Sequence, residues 1–142
     1  MSANCLVIGV GSPDRGDDAV GLEAVRRING VDTAEVSDCS ELIDLWDGRE
    51  EVIVIDAMVS GAIPGTIRRL NATDSPFPAV GFTSTHAFDL GTAISLSKQL
   101  GRLPTSLVVY GIEAGDVSPG AGMTPRVELA LQSVLSELEG DL

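Results

Sequence analysis

A chain of 142 residues that is 44% hydrophobic and 21% charged has the size and composition of a folded domain, not of a disordered segment. Nine basic against twenty-one acidic residues give a formal charge of −12, which disfavours nucleic acid and anionic membranes as partners. No apolar run approaches the ~20 residues of a membrane helix, and the start, Met1-Ser2-Ala3-Asn4, lacks a signal peptide's basic region, so the expected location is cytoplasmic.

In chain order, Cys5–Val10 is apolar, branched and too short for a helix, which predicts a strand. Gly9 and Gly11 close it and are read as the means of turning the chain sharply at a sheet edge. After Pro13-Asp14 comes a helix with Asp17 as N-cap and Val20, Ala24, Val25 and Ile28 on one face, ended by Asn29-Gly30. Residues 33–37 predict a second strand, and Ser40 caps a small helix containing Leu42, Ile43, Leu45 and Trp46. Residues 51–56 are apolar without alternation, as in a parallel strand buried on both faces. A loop then leads to a short edge strand at 65–70, a long surface loop at 71–84 and a helix at 85–100 closed by Gly101. Residues 106–112 predict another buried strand and 113–122 a Gly-rich loop. Thr124-Pro125 begins a last helix whose apolar stripe is Val127, Leu131, Val134, Leu135 and Leu138. Strands alternating with helices predict a three-layer α/β/α sandwich around a mostly parallel sheet of about five strands, with residues 1–142 as one domain. Cys5 and Cys39 fall at opposite edges of that sheet, roughly 15 Å apart at ~3.3 Å per residue, and are expected as free thiols.

In such sheets function sits outside the carboxyl ends of the strands, near the point where strand order reverses. The acids placed there are Asp14, Asp17 and Asp18 after the first strand, Asp38 after the second, Asp56 closing the third, and Glu113 and Asp116 after the last. His86, the single histidine, begins the helix after the long loop and can face the same crevice. Asp18, Asp56 and His86 together make a divalent-ion site with open positions, suited to nickel, zinc, manganese or iron. Singly, each has a plainer reading: Asp17 or Asp18 as a helix cap, Asp56 as a loop brace, His86 as a surface or capping residue. A dinucleotide fingerprint is the rival use of Gly9-x-Gly11, with Asp38 near the ribose-binding distance. Its third glycine position holds Asp14, and Asp17 and Asp18 put negative charge where a pyrophosphate would rest. Common hydrolase and redox signatures (GxSxG, CxxC, P-loop, HExxH) are absent.

Four blocks in order carry a family resemblance. Gly9-Val10-Gly11-Ser12 with residues 15–21 is the first, Val54-Ile55-Asp56-Ala57 the second, and Thr85-His86 the third. Gly111-Ile112-Glu113 with Gly122-Met123-Thr124-Pro125 and Val127 is the fourth. Together they resemble the hydrogenase maturation endopeptidases. The resemblance implies removal of a C-terminal extension from a [NiFe] hydrogenase large-subunit precursor after nickel insertion. It also implies that Asp18, Asp56 and His86 contact the metal. Nickel would arrive with the substrate as its recognition signal, and zinc or cadmium could occupy the same site. Asp38 corresponds to a further family acid and joins the catalytic candidates.

Departures from the family pattern are Ser12 for asparagine, Asp38-Cys39-Ser40-Glu41 for Asp-Gly-Gly-Thr, Ala114 for proline and Asp18 for a frequent glutamate. From a different class, the chain could be a metal-binding chaperone or adaptor that docks on the hydrogenase without cutting it.

Overall fold

The computed structural model describes residues 4–73 and 89–141. Strands β1 (Cys5–Val10), β2 (Asp32–Val36), β3 (Glu51–Met58), β4 (Ile67–Asn71) and β5 (Ser106–Glu113) form one sheet in the order β2-β1-β3-β5-β4. β1 pairs in parallel with β2 and β3, and β3 in parallel with β5. Only β4 runs antiparallel, on the edge beside β5. Helices α1 (Val20–Arg27), α2 (Leu42–Trp46), α3 (Leu90–Leu100) and α4 (Pro125–Asp141) cover the two faces.

Alternation along each central strand divides the core in two, because successive side chains point to opposite faces. Val7, Ile53, Ile55, Val108 and Ile112 pack with Val20 and Val25 of α1 and with Val127, Leu131 and Val134 of α4. Leu6, Ile8, Val52, Val54, Leu107 and Val109 pack instead with Leu42 and Trp46 of α2 and with Leu90 and Ile94 of α3. Trp46 Nε1 donates to Ser97 Oγ at 2.8 Å, so this indole is buried with its one donor satisfied. The result is the three-layer α/β fold expected from the alternation of elements.

Several local expectations shift. β2 starts and ends one residue earlier than 33–37, while β3 and β5 run on to Met58 and Glu113. Parallel partners hold these extensions, since Asp56, Ala57 and Met58 pair with Gly111, Ile112 and Glu113. Asp38, not Ser40, caps the turn before α2: its side chain accepts from Ser40 N at 3.0 Å. α3 begins at Leu90, with Asp89 as an extended N-cap accepting from Thr92 N at 2.8 Å. The helix expected from residue 85 therefore starts later, and His86 precedes its cap.

The glycines near β1 serve close packing more than turning. A Cβ on Gly9 would lie 2.1 Å from the Gly21 carbonyl oxygen, and one on Gly21 would lie 2.2 Å from that of Ile55. Two bare backbones thus let the start of α1 press directly onto β1 and β3. These positions also argue against a phosphate cradle, because carbonyl oxygens of the chain itself fill the space beside them.

Cys5 and Cys39 are both buried, and neither forms a disulfide. Burial, followed by the nearby Glu51 charge, pushes the Cys5 thiol up to about 11. It is therefore protonated at neutral pH, and Cys5 is expected to resist a thiolate-selective reagent at pH 8 until the chain is unfolded. Thiol counting with and without denaturant checks this. Gly21→Ala is expected to lower stability by about 3 kcal/mol through overpacking, read from the shift of the urea midpoint.

Candidate active site

From β1 the chain steps to β2 on one side and then returns to β3 on the other, so strand order reverses between β1 and β3. Crevices at such reversals are the usual ligand sites of open α/β sheets. Asp18 approaches this point from the 3-10 turn Gly16–Ala19 after β1, and Asp56 from within β3. Asp56 stands two residues before the strand's end instead of closing it.

Asp56 is fully buried and Asp18 is 8% exposed. Asp56 Oδ1 accepts from Ala57 N at 2.8 Å, whereas Oδ2 is buried with no hydrogen-bond partner among the described residues. Burial, and then the Asp18 charge, raise the Asp56 carboxyl well above the usual carboxylate range, against the opposing pull of the Ala57 N–H. Two buried acids, one with an oxygen that no described residue engages, make a donor set that suits a divalent cation.

Asp17 does not cap α1. Ala19 holds the N-cap position, with no side-chain cap bond. The Asp17 carboxylate instead turns inward, fully buried, and receives four hydrogen bonds from the far end of the chain. Its Oδ2 accepts from Gly115 N at 2.7 Å, Asp116 N at 3.0 Å and Thr124 Oγ1 at 2.9 Å, and its Oδ1 accepts from Thr124 N at 2.7 Å. Asp17 N completes the clamp by donating to Asp116 O at 2.7 Å. Gly16, at φ 58°, makes this approach possible, because a Cβ there would lie 2.3 Å from Asp116 O. The loop between β5 and α4 is thereby tied to the turn that carries Asp18.

Glu113 performs a second bracing role. Its buried carboxylate accepts from Ser60 N at 2.9 Å and from Ser60 Oγ at 2.5 Å, which anchors the loop after β3. The sequence suggested no such partnership, since Ser60 lies 53 residues away. Asp116 Oδ1 accepts from Ser118 N at 2.8 Å, and the Ser118 side chain, followed by this backbone N–H, holds the Asp116 carboxyl below its usual range. Asp14 contributes its carbonyl, which accepts from Gly120 N at 2.7 Å. These acids organise loops.

Asp38 is exposed, two residues past β2 and one strand over from β1. Beside it, a cavity of about 200 Å³ opens at the ends of β1 and β2, lined by Gly11, Pro13, Leu22, Val36 and Ser37. The ion pair of Arg26 with Glu35, at 2.8 Å, stands on its rim. His86 lies outside the described residues. Among the described residues no group of three or more histidines, cysteines or acids is arranged to hold a metal ion. Asp18 and Asp56 are therefore the two expected ligands whose placement the described residues report.

The clamp has a measurable consequence. In Asp17→Asn the amide nitrogen faces backbone donors, and losing those acceptor contacts in a buried place costs about 3 kcal/mol. Chemical denaturation should show that loss, and amide exchange at Gly115, Asp116 and Thr124 should accelerate. Wild-type values in both measurements would contradict the clamp.

Comparison with known proteins extends the four-block resemblance. A family model described as hydrogenase maturation protease matches residues 37–141. The chain is 28% identical over 142 residues to the hydrogenase 2 maturation protease of Escherichia coli K12, covering 94% of this chain and 87% of the relative. It is 28% identical over 150 residues to the hydrogenase expression/formation protein HupD of Bradyrhizobium diazoefficiens, covering 93% and 78%. Its structure is similar to that of the hydrogenase maturating endopeptidase HybD from E. coli, with a TM-score of 0.76 and 26% identity over 97% and 91% of the two chains. The chain belongs to the hydrogenase maturation protease family and is a peptidase.

Proposed function

We propose that this protein removes the C-terminal extension of a [NiFe] hydrogenase large-subunit precursor after nickel has entered the precursor. In this reading the nickel is part of the substrate, and Asp18, Asp56 and His86 contact it. Family membership supplies the reaction class. The observation that carries the metal reading is the buried Asp56 Oδ2, without a partner among the described residues, beside a second carboxylate.

An unsatisfied buried carboxylate oxygen is costly, and a cation brought to it relieves both desolvation and the repulsion from Asp18. Two carboxylates and a neutral imidazole leave coordination positions free for ligands belonging to the precursor, so the protease can test whether its substrate carries metal. Cleavage then uses either a carbonyl polarised by that metal or a water activated by a carboxylate. Asp38, two residues past β2, is a further acid available at the carboxyl end of the sheet. We assign the reaction to the cytoplasm, a compartment in keeping with two buried cysteines that form no disulfide. No helix among the described residues is long and apolar enough to cross a membrane.

Incubating the protein with nickel-loaded and nickel-free precursor, followed by mass spectrometry of the precursor's C-terminus, tests the reading. Wild-type protein should shorten only the loaded form. Asp18→Asn and His86→Ala should slow processing by about 100-fold or more while the unfolding midpoint is retained. A precursor that binds but remains full length would favour the adaptor reading. Wild-type rates in both variants would remove the site assignment.

A further inference from the structure

We infer that the loop after β3, residues 59–66, is the surface on which an apolar segment of the precursor docks beside the scissile bond. The inference rests on the protease reading above and adds the part of the enzyme that grips the protein substrate. Val59 is 58% exposed and Ile63 is 66% exposed, both in this one loop. Residues 57–67 carry no charge at all, in a chain of formal charge −12.

The loop is held firmly although it hides neither aliphatic side chain. Ser60 N and Oγ both donate to the Glu113 carboxylate. Gly65 N donates to Glu113 O at 2.8 Å, and Glu113 N donates to Thr66 O at 2.8 Å. Thr66 N and Oγ1 both donate to Ile63 O, at 3.0 and 2.6 Å. Val59 adjoins one anchored residue, and the Ile63 carbonyl is itself an anchor. An ordered loop that displays two large aliphatics has met its ordering cost before any partner arrives, which favours binding.

Position selects the occupant. Val59 lies three residues beyond Asp56, at the carboxyl end of the strand that supplies the site. A peptide reaching Asp18 and Asp56 passes along this edge. Among the described residues the other strongly exposed aliphatics, Leu100 and Leu129, sit singly on α3 and α4, as is ordinary for a protein surface. Acids line much of the remaining edge, whereas this loop offers apolar contact without ionic repulsion. The segment that fits it is uncharged and aliphatic.

The test uses Val59→Glu and Ile63→Glu, with Leu129→Glu as an equally exposed control. Each is assayed for cleavage of nickel-loaded precursor and, separately, for precursor binding by calorimetric titration. The loop variants should raise KM and Kd by about tenfold or more, leave kcat within about twofold, and keep the wild-type unfolding midpoint. Leu129→Glu should match wild type. Unchanged Kd in both loop variants, or equal weakening by Leu129→Glu, would overturn the inference. If wild-type protein binds without cutting, and the loop variants bind more weakly, the docking surface stands while the protease assignment to this precursor falls. If wild-type protein does not bind the precursor, both fall.

Discussion

The buried carboxylate of Asp17 is the constraint on which the site's geometry depends. A charge taken out of water is tolerated only when donors surround it, and here four converge from residues 98 to 107 positions away. That single side chain joins the turn after β1, the loop after β5 and the start of α4. Asp18 is its direct neighbour, so the clamp restricts where the second carboxylate can go. Gly16 and Gly21 are consequences of the same arrangement, since each leaves room for a carbonyl oxygen where a side chain would stand.

Asp17, Glu113 and Asp56 show two uses of one buried chemical group. Asp17 and Glu113 have their oxygens filled by backbone and hydroxyl donors, and both hold loops in place. Asp56 keeps one oxygen without a partner among the described residues, next to a like charge, and its carboxyl is raised as a result. Buried polar groups are normally satisfied, so this oxygen is the exception among the described buried side chains. One of the braced loops, the uncharged one, displays Val59 and Ile63 to solvent.

Much of the fold was legible because burial on both faces leaves an unmistakable pattern. β1, β3 and β5 are continuous apolar runs, and α4 has a clear apolar stripe after Thr124-Pro125. The sequence misleads where local chemistry competes with distant partners. An aspartate two or three residues before a helix reads as a cap, but the donors that claim Asp17 come from the opposite end of the chain. Asp38 and Ser40 are both competent caps, and only the backbone path chose Asp38. Apolar patterning stops at Asp56 and Ile112, whereas pairing between β3 and β5 carries the strands on to Met58 and Glu113.

By itself, the sequence determined the layered α/β architecture, the family, and the acids that reach the carboxyl edge, because these follow from periodicity and from ordered motif blocks. Tertiary structure alone decided which acid does what. Asp17, Asp18, Asp56 and Glu113 are chemically alike along the chain and differ only in what surrounds them after folding. Hydrogen-bond donors supplied across some fifty to one hundred residues make two of them braces. The lack of such a donor at one oxygen among the described residues, with the Asp18 charge nearby, sets Asp56 apart.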